Sequence, residues 1–176
     1  MTRYVALLRA INVGGHTVKM DRLRVLFEEL DLTRVETFIA SGNVLFDARG
    51  RATPALEVRI ERQLAAALGY PVATFLRPLA SLAGIARDNP FDAADGHTVY
   101  VGFLKCAPPA EGVRTLMSLE SASHAFQVNG SEVYWLSRIR TSDSKISGST
   151  FEKALGGPAT FRNMTTVRKL AEKGTA

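Results

Sequence analysis

The stretch that decides the fold of this chain is Tyr4-Val5-Ala6-Leu7-Leu8-Arg9-Ala10-Ile11-Asn12-Val13-Gly14-Gly15. Its first five residues are continuously apolar, which is typical of a buried strand, and the charged Arg9 ends the run. A long loop follows as far as Lys19. Apolar residues then recur at a spacing of three and four, which predicts a helix: Met20, Leu23, Leu26, Phe27 and Leu30.

The elements that follow complete a recognisable unit. Two β-rich runs, Val35 to Ala40 and Val44 to Asp47, are joined by Ser41-Gly42-Asn43, which predicts a tight hairpin. Pro54 opens a second helix that Gly69 ends, and Pro71 to Arg77 has the composition of another strand. The order strand-helix-strand-strand-helix-strand is that of a ferredoxin-like unit.

The same order begins again in the second half. A strand is predicted at Thr98 to Leu104, a helix from about Ala110 to Leu119, and a hairpin about Asn129-Gly130. Helices are then predicted from about Ser144 to Leu155 and from about Arg162 to Lys173, which leaves the last strand weak or missing. The predicted fold is α+β, with two ferredoxin-like (βαββαβ-type) halves, mainly antiparallel sheets, an incomplete second half, and no repeat at the level of residues.

Length and composition suit a globular protein with a real core. The chain has 176 residues, of which 46% are hydrophobic and 22% are charged. We predict a ferredoxin-like subdomain over residues 1–90 and a related α+β subdomain with basic C-terminal helices over residues 91–176. The sequence shows neither a membrane-length apolar run nor a signal-peptide pattern, so we expect a cytoplasmic protein without membrane partners.

The basic excess lies near the end of the chain. The formal charge is +5, and residues 138–176 contain 8 basic and 3 acidic residues, which accounts for all of it. Such a segment suits an anion or nucleic-acid footprint. A solvated helical face is the alternative, to which basic residues at the spacing of Arg162, Arg168, Lys169 and Lys173 are also suited.

The loop after the first strand and the Ser41-Gly42-Asn43 turn should lie at one edge of the sheet. A right-handed crossover makes the first two strands point the same way, so their carboxyl ends meet there. Adjacent glycines expose backbone N–H groups, and nearby cations add charge, which favours holding an anion. The predicted ligand-binding residues are Arg9, Asn12, Gly14, Gly15, Lys19, Ser41, Gly42 and Asn43. Tight-turn chemistry alone would also explain the glycines and Asn12.

A second polar group precedes the predicted last helix. Thr160 would cap that helix, and Arg162 and Asn163 would then project from the end that attracts anions. These three residues form a predicted secondary basic site, with simple capping as the alternative.

Other chemistries have little support in the sequence. The glycine spacing fits neither a Walker loop nor a dinucleotide fingerprint, and common catalytic motifs do not occur. We predict no metal site and no cofactor. The single Cys106 excludes an internal disulfide, and its place after an apolar strand predicts a buried, inert thiol.

Three motifs make the chain resemble a bacterial family known as domain of unknown function 1697. They are Leu-Arg-x-Ile-Asn-Val-Gly-Gly at residues 8–15, Ser-Gly-Asn at residues 41–43 and Thr-x-Arg-Asn at residues 160–163. The resemblance implies a compact α+β protein with two ferredoxin-like halves and no assigned reaction. Members usually carry Gly at the position of Ala10 and Trp-Asn at Met164-Thr165.

Three functions are compatible with these residues. The favoured one is a binder of a small anionic or phosphorylated ligand, with or without catalysis, at the edge that contains Arg9 and Asn43. A nucleic-acid-binding module is the second, although the strand after Gly42 lacks the aromatic RNA-binding signature. A protein-interaction domain is the third.

Overall fold

The computed structural model describes residues 1–39, 42–50 and 54–174. It contains two compact units: Met1–Leu82 together with the chain from Leu170 onward, and Ala83–Lys169. The last residues, which the sequence analysis assigns to the second subdomain, therefore group with the first unit. No helix of the described residues is long and apolar enough to cross a membrane.

The first unit has the predicted ferredoxin-like topology. Its elements are β1 (Thr2–Leu8), α1 (Met20–Glu28), β2 (Thr33–Phe38), β3 (Asn43–Ala48), α2 (Pro54–Leu68) and β4 (Thr74–Pro78). The strands form an antiparallel sheet in the order β2-β3-β1-β4. The chain leaves α2 through Gly69, whose φ of 82° is left-handed and whose N–H bonds Ala65 O at 2.9 Å.

The core of this unit forms where helix stripes meet alternate strand residues. Leu23, Leu26 and Phe27 of α1 and Ile60 and Leu64 of α2 are fully buried. They share one cluster with β1 and β3 residues that point to the same face: Tyr4, Ala6, Leu8, Val44 and Phe46. The period-two alternation of β1 thus sets which side chains meet the helices.

Charged side chains bond neighbouring strands of the same sheet to one another. The buried carboxylate of Asp47 accepts hydrogen bonds from Arg3 at 3.1 Å and from Arg34 at 3.2 Å. Lys173 bonds Glu36 and lies 5.1 Å from the centre of the Phe38 ring. These contacts tie the chain after Leu170 to β2.

The second unit has the same topology as the first. After α3 (Ser81–Arg87) come β5 (Thr98–Leu104), α4 (Ala110–Met117), β6 (His124–Asn129), β7 (Glu132–Ser137), α5 (Gly148–Leu155), β8 (Ala159–Asn163) and α6 (Met164–Glu172). The sheet order is β6-β7-β5-β8, again antiparallel. The prediction of an α+β protein in two halves is confirmed.

The prediction that the last strand of the second half is weak or missing is wrong. Residues Ala159–Asn163 form β8, which pairs with β5 from Leu104↔Ala159 to Tyr100↔Asn163. Helix α6 begins only at Met164, because Asn163 Oδ1 accepts the Thr166 N–H at 2.8 Å and caps it. Thr160, predicted as the cap, lies inside the strand.

Aromatic side chains fill the core of the second unit. The Trp135 ring centre lies 5.1 Å from that of Phe151, and Phe151 lies 4.5 Å from Phe161. The Phe161 ring lies across Gly102 of the central strand. A methyl group at Gly102 would be 2.5 Å from Phe161 Cε1, so only glycine fits beneath this ring.

A buried histidine is bonded into this aromatic core. Trp135 Nε1 donates to His124 Nδ1 at 3.2 Å, and His124 Nε2 lies 3.2 Å from Ser144 Oγ. Because Nδ1 accepts, the ring proton belongs on Nε2, which donates to Ser144. Burial, with a smaller contribution from Arg138, lowers the pKa of His124 below its ordinary value.

Candidate functional site

The end of β1 and the start of β3 meet closely at one edge of the first sheet. Leu8 N–H donates to Gly42 O at 2.8 Å. A methyl group at Gly42 would lie 3.1 Å from Leu8 Cβ and 3.2 Å from Ile11 Cβ, and the φ of Gly42 is 82°. Both space and backbone conformation therefore favour glycine here. Ser41 lies outside the described residues.

The loop from Arg9 to Lys19, called here the edge loop, is anchored at both ends. Ile11 and Val18 are buried in the core of the unit. The side-chain oxygen of Asn12 accepts the Val18 N–H at 2.6 Å, which closes the loop on itself. Residues 13–17 between these anchors are exposed. Asn12 is thus a residue that shapes the loop.

The backbone of this edge is unusually rich in left-handed conformations. Within the edge loop φ is 60° at Ala10, 58° at Asn12, 61° at Gly14 and 86° at Gly15. Ile39, at the end of β2, has φ of 60° although it is β-branched. Glycine adopts this conformation freely, whereas a non-glycine residue held there costs about 1–3 kcal/mol, and such non-glycine residues cluster at functional sites in proteins.

The segments of the edge supply basic side chains, and α2 adds one carboxylate, Glu61, whose Oε1 accepts the Thr74 N–H at 2.8 Å. The segments 9–19, 37–46 and 69–76 contain Arg9, His16 and Lys19 and no Asp or Glu. Lys19 is exposed at the start of α1, and Arg9 is half-buried next to β4, where its N–H bonds Ala73 O at 2.9 Å. Gly14 and Gly15 are exposed, with open space around both α-carbons.

An aromatic pair borders the edge loop on the β4 side. The His16 ring stacks on Tyr70 with ring centres 3.8 Å apart. The Tyr70 hydroxyl is buried and has no hydrogen-bond partner among the described residues. A buried hydroxyl in this state favours binding of a water or ligand oxygen nearby.

Asn43 faces inward. It is fully buried, and its Nδ2 donates to Phe38 O at 2.8 Å across the hairpin. This predicted ligand residue therefore holds the hairpin in shape beside the edge loop.

The predicted secondary basic site has a different structure from the one expected. Arg162 is buried in β8, where Nη1 donates to Thr160 Oγ1 at 2.9 Å and to Phe161 O at 2.8 Å. Burial lowers the pKa of Arg162 to about 10. Thr160 and Arg162 are bonded to each other within the strand, whereas Asn163 caps α6. The three residues therefore do not form one basic site.

One prediction about a side chain is wrong, and one cavity was not predicted. Cys106, predicted to be buried, is exposed in the short loop after β5. A cavity of about 590 Å³ lies at the opposite end of the first sheet, where Arg59 donates to Leu30 O at 2.7 Å. Its lining residues, among them Asp31, Asp47 and Arg49, come from separate segments that share no motif. Within the described ranges no group of three His, Cys, Asp or Glu residues could hold a metal ion.

The fold and the edge define a class: an α+β protein with two ferredoxin-like units, one of which carries an elaborated, basic loop edge. The chain belongs to the family described as protein of unknown function (DUF1697), whose model matches residues 1–134. The resemblance seen in the sequence is thereby confirmed.

A solved structure is similar along its whole length. The conserved bacterial protein SP0830 from Streptococcus pneumoniae is 24% identical, with 100% of this chain and 99% of that chain covered and a TM-score of 0.75. At this level of identity the likeness shows the fold alone. No curated protein matches the chain.

Proposed function

We propose that the first unit binds a small anionic ligand, such as a phosphorylated metabolite, at the edge formed by the edge loop and Gly42, in the cytoplasm of a bacterium. One observation carries the proposal. The second unit makes the same strand-to-helix connection with Lys105–Pro109, less than half the length of Arg9–Lys19. The fold therefore does not require the longer loop or its left-handed residues.

The chemistry of the edge suits an anion. The exposed Gly14 and Gly15 let a ligand approach backbone N–H groups without side-chain interference. Arg9 supplies a planar guanidinium able to donate two parallel hydrogen bonds, and Lys19 supplies a mobile ammonium. Asn12 and Asn43 support the site by holding the loop and the hairpin.

Isothermal titration calorimetry with inorganic phosphate, pyrophosphate, a sugar phosphate and citrate tests the proposal. Arg9→Ala and Lys19→Ala should each weaken binding of the preferred anion by about tenfold or more, because a charge-assisted hydrogen bond is lost. Lys105→Ala is the matched control, since Lys105 follows Leu104 as Arg9 follows Leu8 and is also half-buried. Equal affinity in all variants, or no binding to the wild-type protein, would contradict the proposal.

Nucleic-acid binding is the second candidate, and the strand burial counts against its common mode. RNA-binding sheets of this topology stack bases on aromatic residues of open central strands. Here β3 is buried along its whole length, and β7 is buried from Val133 to Ser137. The candidate rests on exposed basic residues such as Arg168 and Lys169. Loss of RNA retention in Arg168→Ala and Lys169→Ala, with Arg9→Ala unaffected, would favour it. A protein-interaction role would follow if neither set changed any binding.

A further inference from the structure

The second unit contains a large polar cavity that belongs to no predicted site. Its volume is about 860 Å³, and it is open to solvent. Two stretches of the chain line it: residues 86–99, from the end of α3 to the start of β5, and residues 163–168, at the junction of β8 with α6. The volume lies within the range of about 300–1,000 Å³ that small-molecule sites occupy.

The walls of this cavity are held by hydrogen bonds. Tyr134 donates its hydroxyl to Ile85 O at 2.7 Å, which fixes α3 two residues before Arg87. Asn89 forms a local turn, accepting from Phe91 N–H at 3.2 Å and donating to Phe91 O at 2.8 Å. On the opposite wall Asn163 caps α6 through its side-chain oxygen. The backbone segments around the cavity are therefore held in place by hydrogen bonds within the unit.

Its charged groups are mainly basic. The lining includes Arg87, His97 and Arg168, against the single carboxylate of Asp92. The Arg168 side chain is exposed and makes no hydrogen bond or ion pair with the residues that the structure describes. Arg87 lies 3.5 Å from Asp88 in a pair whose side chains are 79% and 48% exposed, so water weakens that interaction. Both guanidinium groups are thus available to an anion.

Apolar groups line the same cavity. Phe91 is half-buried beside the polar residues, and Val99 and Met164 add aliphatic surface. The cavity is several times larger than an inorganic phosphate needs. A flat aromatic moiety would be accommodated against Phe91, because ring systems stack favourably at offset or tilted geometry.

We propose that this cavity is a second ligand site, which takes a nucleoside monophosphate. The phosphate would bind Arg87 and Arg168, the base would lie against Phe91, and Asp92 would accept hydrogen bonds from the ribose hydroxyls or base amino groups. The proposal does not rest on ligand binding at the edge loop, because the two sets of residues lie in different units.

Titration with AMP, GMP, CMP and UMP, followed by calorimetry and by backbone amide shifts in NMR, tests this site. Arg168→Ala and Arg87→Ala should each weaken the best-bound nucleotide by about tenfold or more. Phe91→Ala should weaken the nucleotide and the free nucleoside and leave ribose 5-phosphate unaffected. Lys169→Ala, a neighbouring exposed residue outside the lining, is the control and should bind as the wild type does.

The outcomes separate the two sites. Retained nucleotide binding in Arg9→Ala with loss in Arg168→Ala supports the cavity, whatever happens at the edge loop. The proposal is overturned if the wild type binds none of the four nucleotides at millimolar concentration, or if Arg168→Ala and Arg87→Ala leave affinity unchanged. Nucleotide-induced shifts confined to residues 9–19 would also overturn it.

Discussion

The central strands of the two units are identical at four of seven aligned positions. In β1 Tyr4 faces Phe46 and Ala6 faces Val44, while in β5 Tyr100 faces Trp135 and Gly102 faces Val133. Aligned by this register, residues Thr2–Leu8 and Thr98–Leu104 share Thr, Tyr, Val and Leu at equivalent positions. The register thus shows a local likeness between these two strands, in a chain for which we predict no repeat at the level of residues.

The last strands of the units also correspond. Arg77 faces Val5 in the first unit, and Arg162 faces Val101 in the second. Each arginine donates Nη1 to the carbonyl of the residue before it, at 2.9 Å and 2.8 Å. The equivalence indicates that this arginine belongs to the architecture of the repeat, which gives the motif Thr160-x-Arg162 a structural explanation.

The units differ in backbone strain, and only the first has a long loop between its first strand and its first helix. Among the described residues, the five non-glycine residues with positive φ lie in the first unit: Ala10, Asn12, Asp31, Arg34 and Ile39. In the second unit the positive-φ residues described are glycines. The second unit forms the same topology without a described non-glycine residue at positive φ, so the topology itself does not require those of the edge loop.

The largest expected effect tests whether the two cores are equivalent. Phe46→Ala and Trp135→Ala remove register-equivalent buried rings, and each should lower the free energy of unfolding by about 3–5 kcal/mol. Urea unfolding followed by far-UV circular dichroism would measure both. Met117→Ala, at an exposed position, is the control and should change stability by less than about 0.5 kcal/mol. A near-neutral Phe46→Ala would show that the cores are not equivalent.

A second test replaces one cross-strand residue pair of the second unit by the equivalent pair of the first. Gly102 lies opposite Phe161, whereas its equivalent Ala6 lies opposite Leu76. Gly102→Ala should cost about 1–3 kcal/mol, because the new methyl group overlaps the Phe161 ring. Adding Phe161→Leu recreates the pair of the first unit and should recover part of that loss. An additive double variant would show that the ring does not cause the cost.

The next largest loss of stability is expected when the hydrogen bond between Asn12 and Val18, which closes the edge loop, is removed. Asn12→Ala leaves the Val18 N–H without its partner and should lower stability by about 1–2 kcal/mol. Hydrogen exchange of the Val18 amide should become faster, while amides of β7 should keep their protection. Unchanged exchange at Val18 would mean that the loop holds its shape without Asn12.

Acidic pH should destabilise the second unit through His124. Its folded-state pKa lies below the ordinary value of 6.5, so the unfolded state binds a proton more readily. The free energy of unfolding should therefore fall as pH decreases below about 6.5. Urea titrations at pH 7.5 and 5.5, followed by Trp135 fluorescence, would show a smaller decrease in His124→Gln than in the wild type. The same decrease in both proteins would rule out this role.

The smallest expected effect is a gain in stability. Ala10 has φ of 60°, where glycine is free of strain, so Ala10→Gly should stabilise the protein by up to about 1 kcal/mol. Ala107→Gly, in the short loop of the second unit, is the matched control and should not stabilise. Thermal unfolding would measure both variants. A destabilising Ala10→Gly would show that the strain of the edge loop is compensated locally.

Much of the fold follows from local patterns in the sequence. The apolar run at Tyr4 and the Asn129-Gly130 turn predict the strands that form. The apolar pattern does not predict strand β8, because Arg162 interrupts it. In the structure, hydrogen bonds to Thr160 and Phe161 O help to make a buried arginine tolerable there.

The candidate sites were predictable to different degrees. Topology alone places Gly42 beside the end of β1, as observed. The burial of Asn43 and the hydrogen bond from Val18 N–H to Asn12 depend on side-chain packing, which the sequence pattern does not specify. The cavity that contains Arg87 and Arg168 could not be predicted, because its lining comes from segments far apart in the chain.

The division of the first unit into two stretches of chain has a consequence for its synthesis. Leu170 is fully buried and belongs to the first unit, yet a ribosome makes it only after all of Ala83–Lys169. At roughly 5–20 residues per second, the N-terminal unit waits on the order of 4–18 s for its final turn of helix. During that interval Glu36 and Phe38 lack Lys173, so the contacts that complete the first unit form only when translation is nearly finished.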